Sequence, residues 1–163
     1  MITGIMHFNI VCRDLDTSLK FYRDLLGGHM LGDTRKAAAE RGVNTRGAGI
    51  GLGFKVVPEW RACFIRFGDD EKATVIDLLQ WIKPVPVGKP HGKMNHVGIP
   101  RVALSVDNID KAYKNLKAKG VKFISPPQLI DLKREAIGLK SVQKPIRFAV
   151  CWDPDGNAIE LVE

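Results

Sequence analysis

Long hydrophobic runs are absent from the sequence, and their absence excludes a simple membrane-spanning helix. Although 45% of the residues are hydrophobic, no uninterrupted apolar stretch reaches the roughly 20 residues that a transmembrane helix needs. The first residues, MITGIMHFNIVCRD, also lack the charged start and the cleavage site of a secretory signal peptide. We therefore expect a cytoplasmic protein that has no membrane partner.

Cysteine is scarce, and its arrangement argues against both disulfides and a structural zinc site. The chain has only Cys12, Cys63 and Cys151, which are widely separated and lie inside apolar runs. An odd number of cysteines without paired short spacings fits neither a disulfide framework nor a zinc ribbon. We expect three buried free thiols.

A nucleic-acid-binding signature is also missing, although the chain is basic. The net charge is +7, from 25 Lys and Arg against 18 Asp and Glu, but the lysines are scattered. Many of them belong to DKAYKNLKAKG, where they form the polar side of a predicted helix. Without an aromatic-rich basic patch or a helix-turn-helix, we expect no nucleic-acid partner. The charge favours a mild attraction for small anions.

An internal repeat is present. GIMHFNIVCRDLD near the start and GIPRVALSVDNID after the middle of the chain come into register when Gly4 is aligned with Gly98. Each segment first alternates apolar and polar residues, as a half-buried strand does, and then changes to helical spacing. Suitable helix N-caps are Asp14 or Asp16 in the first segment and Asn108 or Asp110 in the second, and suitable C-terminal stops are Gly27 and Gly120. The remaining strands of each half also match.

The repeat predicts an α+β fold of two tandem βαβββ modules that form a curved mixed sheet around a cleft. We place the first module at 1–85, a Pro- and Gly-rich linker at 86–94 and the second module at 95–163. The first module carries an insertion at about 36–57, with a short helix at RKAAAERG and a mobile glycine-rich stretch, GAGIGLG. The second strand of each module is expected near HMLGD and VKFIS.

Strand alternation predicts which residues face away from the helices. The more apolar side of each strand should lie under the helix. This leaves four polar side chains on the opposite side, among apolar neighbours: His7, Asp77, Arg101 and Glu160. An isolated carboxylate among apolar residues is unfavourable or takes up a proton, so this placement indicates a functional site. Pseudo-twofold symmetry of the two modules would bring the four together.

The sequence resembles the vicinal oxygen chelate superfamily, which includes glyoxalase I, extradiol dioxygenases and bleomycin resistance proteins. The similar segments are HFNIVCRDLDTSLKFYRDLLG, ATVIDLLQW, RVALSVDNIDKAYKNLKAKGV and WDPDGNAIELVE. The resemblance implies a glyoxalase-like fold and a divalent metal such as Mn, Fe, Ni, Mg or Zn. His7, Asp77 and Glu160 match metal-ligand positions. Arg101 stands where the superfamily usually has a histidine, and a guanidinium cannot bind a metal.

Two interpretations of Arg101 remain open from the sequence. In the first, Arg101 takes over the charge-balancing role of the metal and neutralises Asp77 and Glu160 in a metal-free pocket. In the second, three residues still hold a metal, and Arg101 binds a carboxylate, phosphate or enolate oxygen of the substrate.

The resemblance also leaves two classes of function. The first is an isomerase, epimerase or lyase that acts by proton transfer and oxyanion stabilisation on a small oxygenated, anionic substrate. Its catalytic residues would be Glu160, Arg101 and Asp77, and its substrate contacts Arg101, Trp81, Asn9 and Ser105. The alternative is a non-catalytic protein of the bleomycin-resistance type, which sequesters a small molecule. Either would act as a homodimer.

Overall fold

The computed structural model describes residues 1–32, 46–130 and 145–163, and these form two compact units. The first unit is Met1–Gly88, and the second is Lys89–Glu163. The helix expected at RKAAAERG lies outside the described residues. None of the helices in the described ranges is long and apolar enough to span a membrane.

The first unit has the element order of one βαβββ module with a short additional helix. Strand β1 (His7–Val11) leads into helix α1 (Leu15–Leu19), which continues as a π-helical segment (Lys20–Leu25). The following elements are β2 (His29–Leu31), helix α2 (Arg46–Gly51), β3 (Glu59–Arg66) and β4 (Val75–Lys83).

The four strands of the first unit form a mixed sheet in the order β1-β4-β3-β2. Strand β1 runs parallel to β4, whereas β4 pairs with β3, and β3 with β2, in antiparallel directions. Buried Ile10, Ile76 and Leu78 lie on the helix side, together with Leu15 and Leu19 of α1. The predicted faces of β1 and β4 agree with this burial.

The described residues of the second unit, 89–130 and 145–163, repeat the module and include no additional helix. Its elements are β5 (Arg101–Ser105), helix α3 (Ile109–Ala118), β6 (Gln128–Ile130), β7 (Ile146–Trp152) and β8 (Ala158–Val162). The sheet order is β5-β8-β7-β6, and again only the β5–β8 pair is parallel. The predicted α+β class with two βαβββ modules is confirmed, with one four-stranded sheet in each unit.

Both long helices begin and end at residues that the sequence indicated. The carboxylate of Asp14 accepts a hydrogen bond from the Thr17 amide at 2.7 Å, and Asn108 Oδ1 accepts one from Lys111 at 2.8 Å. After α3, Gly120 adopts a φ of +86°, and the Val121 amide donates to the Leu116 carbonyl. This closing turn satisfies carbonyls that the helix leaves unpaired.

A polar arrangement around the start of α1 fixes the helix to the sheet. Gln80 Oε1, on β4, accepts a hydrogen bond from the Leu15 amide at 3.1 Å. Arg61, on β3, donates to the carboxylate of Asp16 at 2.8 Å. The helix therefore docks on two neighbouring strands through its first turn.

The second unit repeats this arrangement at corresponding positions. Glu163 Oε2 accepts from the Ile109 amide at 3.0 Å, and Arg147 on β7 forms two hydrogen bonds with Asp110, at 2.7 and 2.9 Å. Because these residues correspond pair by pair to those of the first unit, the repeat extends beyond the hydrophobic pattern to its polar contacts.

Two local expectations from the sequence are wrong. The stretch expected to be mobile, GAGIGLG, contains most of helix α2, and Gly49 lies so close to Pro58 that a Cβ at this position would be 2.4 Å from the proline ring. The second strand of the second module is not at VKFIS, where only Phe123 forms a single bridge with Cys151. It is at Gln128–Ile130 instead.

The cysteines behave as expected. Cys12, Cys63 and Cys151 are all buried, and no disulfide joins any of them. Burial raises the pKa of Cys151 to about 12, so this thiol is protonated and unreactive at neutral pH.

Candidate functional site

The open face of the first sheet carries His7, Asn9 and Asp77 side by side. In the parallel register, Asn9 is paired with Asp77, and His7 with Val75. Residues paired across neighbouring strands point to the same side of a sheet, so these side chains share the face opposite α1. Both His7 and Asn9 are exposed, whereas Asp77 lies deeper because β4 is an inner strand.

Asp77 is a partly buried carboxylate with one oxygen bound and one left without a partner. Asn9 donates through Nδ2 to Asp77 Oδ2 at 3.0 Å. Oδ1 is buried and has no hydrogen-bond partner among the described residues. Burial raises the pKa of Asp77 above its ordinary value of 3.8, and the Asn9 hydrogen bond and the nearby His7 oppose this rise only in part. Such a carboxylate binds a proton more readily than an exposed aspartate.

Aromatic residues line the same face. The rings of His7 and Phe64 lie 5.9 Å apart, and Phe64 is directly paired with Asp77 across β3 and β4. Trp81, predicted as a substrate contact, lies further along β4, with its ring 5.4 Å from Trp60 and 4.8 Å from Phe54. The face therefore offers an apolar wall beside a carboxylate, which is the usual composition of a small-molecule site.

The corresponding face of the second unit holds an ion pair. Arg101 Nε donates to Glu160 Oε2 at 2.7 Å. The Glu160 side chain is only 10% exposed, whereas that of Arg101 is 42% exposed. Glu160 is paired in register with Ala103 on β5 and Val150 on β7, so its surroundings are apolar apart from the guanidinium. The positive charge compensates a carboxylate that would otherwise be buried alone.

Ser105, predicted as a substrate contact, lies at the end of β5, exposed and on the same side of the strand as Arg101. It is paired in register with Val162. The structure thus places the predicted residues in two groups, and each group shares the open face of one sheet: His7, Asn9, Asp77 and Trp81 in the first unit, and Arg101, Ser105 and Glu160 in the second. That the two groups meet in one cleft stays a prediction.

The donor set fits the metal site of the superfamily poorly. His7 and Asp77 are the only two of the predicted ligands in the first unit, and Asp77 Oδ2 is already bound to Asn9. The third, Glu160, accepts a short hydrogen bond from Arg101, whose fixed positive charge opposes a nearby dication. Within either unit, the described residues include no group of three His, Cys, Asp or Glu side chains that could hold a metal. We therefore propose no catalytic step that uses a metal.

Two residues of the open face of the first sheet were missed by the sequence reasoning, namely Phe64 and Arg66. Their strand, WRACFIR, alternates in the same way as β4, and pairing it with β4 would have placed both residues on the Asp77 side. The signal was present, but the faces of this strand were not assigned because neither of its sides is clearly more apolar.

Comparisons with known proteins agree with this architecture. The model of the Glyoxalase/Bleomycin resistance protein/Dioxygenase superfamily matches residues 4–161. None of the curated proteins matches the sequence at a significant level.

Among solved structures, a glyoxalase family protein from Bacillus cereus has a TM-score of 0.74 and 16% identity, covering 100% of this chain and 95% of its own. A superfamily member from Sphaerobacter thermophilus has a TM-score of 0.58 and 22% identity, covering 99% of this chain and 98% of its own. Glyoxalase I from Zea mays has a TM-score of 0.64 and 19% identity, covering 97% of this chain but 43% of its own. At these identities the likeness shows the fold alone.

Proposed function

Since the chain belongs to the glyoxalase/bleomycin resistance protein/dioxygenase superfamily, we propose that it is a small-molecule enzyme that transfers a proton on a small oxygenated, anionic substrate. The reaction would be of the isomerase, epimerase or lyase type. The observation that carries this proposal is Asp77, whose buried Oδ1 has no partner and whose pKa is raised by burial.

Asp77 is the proposed general base. A carboxylate with a raised pKa is a stronger base, and it keeps a proton long enough to return it to a neighbouring atom. Oδ1 would take a proton from a carbon beside a carbonyl group, and the bonding electrons would move onto the carbonyl oxygen as an enolate. Where that carbon also carries a hydroxyl group, the hydroxyl proton moves to the enolate oxygen, and Asp77 returns its proton to the former carbonyl carbon, which completes an isomerisation. An epimerisation would instead need a second donor, such as a water molecule, to protonate the original carbon from its other side while Asp77 releases its proton to solvent.

The neighbours of Asp77 would position it and restrict water. Asn9 fixes the carboxylate through Oδ2 and leaves Oδ1 for the substrate. His7 and Phe64 lie on either side of Asp77 on the open face, and their rings limit the access of solvent to the carboxylate. A drier environment strengthens electrostatic interactions at the reacting atoms.

For the second unit, we propose that Arg101 binds an anionic oxygen and that Glu160 holds it in place. The described ion pair uses Nε, so the terminal Nη groups of the exposed guanidinium can donate to a carboxylate or an enolate oxygen. In this assignment Glu160 positions Arg101 and is not the base. Arg101 would then balance the charge of Glu160, as in the first interpretation, and bind the substrate, as in the second. The metal that the second interpretation retains is not part of this proposal.

A non-catalytic binding protein of the bleomycin-resistance type is the second candidate. The cluster of Phe54, Trp60 and Trp81 favours it, because an aromatic wall can hold a planar ligand without any chemistry. A binding protein would retain its ligand unchanged, whereas the proposed enzyme would exchange a carbon-bound hydrogen.

Hydrogen exchange with solvent tests the proposed function without knowledge of the product. Wild-type protein is incubated in D₂O with 2-hydroxy ketones, hemithioacetals and 2-substituted thioesters, and deuterium incorporation is followed by proton NMR. We expect at least one class to exchange, and Asp77→Asn to lower that rate by roughly 10²–10⁴-fold.

The control is Asp69→Asn, which removes one negative charge from an exposed turn of the same unit and should exchange at the wild-type rate. Binding without exchange would favour the sequestering protein. An Asp77→Asn variant that exchanges as fast as wild type would remove Asp77 from the mechanism.

A further inference from the structure

Arg66 is a partly buried cationic residue that the proposed proton transfer does not use. It is the last residue of β3, on the side opposite Ile65, which packs against Gly28 at the end of the first helical segment. Arg66 is therefore on the open face with Asp77. Its Nε is buried and, within the part of the chain that the structure describes, has no hydrogen-bond partner.

The neighbours of Arg66 do not neutralise it. In register it is paired with His29, on β2, and the β3–β4 ladder ends one residue earlier, at Ile65 and Ile76. Asp77 is paired with Phe64, which lies two residues before Arg66 on β3. Arg66 and Asp77 are therefore diagonal neighbours, whose Cα atoms are typically roughly 7–8 Å apart. Arg66 and Asp77 form no ion pair with each other, and Asp77 Oδ1 is also without a partner in the described ranges.

One sheet face thus holds a buried donor and a buried acceptor that do not satisfy each other. Buried polar groups in folded proteins are nearly always hydrogen-bonded, and an exception indicates a bound partner or a functional role. A ligand could satisfy both groups if it presented an anionic oxygen to the guanidinium and a proton to the carboxylate. Such a ligand would need to span only the diagonal between two strands, which a molecule of three or four carbons can do.

We propose that Arg66 anchors the oxyanion of the substrate, a carboxylate or a phosphate, so that the acidic proton of the substrate is presented to Asp77. The exposed ring of His29 supplies a second donor at the edge of the sheet. A guanidinium binds both kinds of anion through two parallel N–H groups. This inference deepens the proposed function, since it names the anionic group that the substrate carries and the residue that selects it.

Titration with oxalate and with inorganic phosphate, followed by calorimetry, tests the anchor. Neither probe has a carbon-bound hydrogen, so binding is measured independently of any proton transfer. We expect the wild type to bind one of them more tightly, which distinguishes carboxylate from phosphate recognition. Arg66→Met, which keeps the length and removes the donors, should weaken that binding roughly tenfold or more. Arg66→Lys should retain part of it, since the charge remains but the paired donors do not.

Arg61→Met is the matched control. Arg61 lies on the same strand but on the helix side, bound to Asp16, so this variant loses the same charge without touching the open face. Its affinity for the probe should stay within twofold of the wild type. An equal loss in both variants would mean that the basic charge of the chain, and not an anchor, attracts the anion, and would overturn the proposal.

Thermal stability separates an anchor from a structural role. If Arg66 is an anchor, Arg66→Met removes an unpaired buried donor and should melt at or above the wild-type temperature. At the same concentration, the probe should raise the melting temperature of the wild type more than that of Arg66→Met. A folded Arg66→Met that binds both probes within twofold of wild type, or a wild type that binds neither at tens of millimolar, contradicts the proposal.

Failure of this inference and failure of the proposed function can be distinguished. If the anchor is wrong but the function is right, Arg66→Met will exchange substrate hydrogens with an unchanged KM while Asp77→Asn will not exchange them. If the function is wrong but the anchor is right, oxalate or phosphate will bind through Arg66, and no substrate class will exchange.

Discussion

At the scale of single residues, Arg101 lies where the first unit carries His7, and this difference decides what each sheet face can hold. A guanidinium neutralises a carboxylate but cannot share a metal with it, and Glu160 accepts its short hydrogen bond. We expect Arg101→Ala to lower the free energy of unfolding by roughly 1–3 kcal/mol, because Glu160 loses its charge partner. The loss is below that of a fully buried pair because the Arg101 side chain is 42% exposed.

Chemical denaturation of a double-mutant cycle measures this contribution. Glu160→Gln combined with Arg101→Ala should recover most of the stability, since no buried charge then remains unpaired. Arg147→Ala, which breaks the exposed pair with Asp110 in the same unit, should cost clearly less than Arg101→Ala. If Arg101→Ala and Arg147→Ala lower the free energy of unfolding equally, Arg101 is not compensating a buried carboxylate.

At the scale of elements, the sequence predicts those whose signal is local and repeated. Apolar residues recur every two positions in strands β1, β4, β5 and β8, and about every 3.6 positions in the two helices that follow β1 and β5. Asp14 and Asn108 mark where these helices start. The candidate residues on these strands were placed on the correct faces for the same reason. Their partners were not predicted, because the Arg101–Glu160 and Asn9–Asp77 contacts depend on strand register.

Short elements depend on tertiary contacts and escaped prediction. Strand β6 has only three residues, and the neighbouring VKFIS segment also contacts β7 through the bridge of Phe123 with Cys151, so the choice between them depends on tertiary contacts. Helix α2 is glycine-rich, which argues against a helix in isolation. Gly49, however, packs against Pro58 at a distance that no larger residue allows. The change from α1 to a π-helix likewise leaves the apolar spacing nearly unaltered, so the sequence indicates one continuous helix.

At the scale of the whole molecule, each unit has one sheet face covered by its helix and an opposite face that is only partly buried. On the open face of the first sheet, Val11, Leu31 and Phe64 are more than a third exposed. We expect a homodimer that covers such apolar surface, since exposed apolar patches commonly mark interfaces. Sedimentation velocity at micromolar concentration should give about twice the chain mass; a single species near 18.1 kDa would rule the dimer out.

The proposed mechanism depends on Asp77 being a partly buried carboxylate with a raised pKa, and titration of its side chain followed by ¹³C NMR measures this pKa. We predict a midpoint above the ordinary value of 3.8, because burial disfavours the charged form. Asp24, whose pKa the adjacent Arg23 lowers, serves as an internal reference and should titrate below that value. Since the folded protein binds the Asp77 proton more tightly than the unfolded chain does, the stability contributed by Asp77 is present below 3.8 and is lost as pH rises through the raised pKa. A midpoint at or below 3.8 for Asp77 would contradict the account.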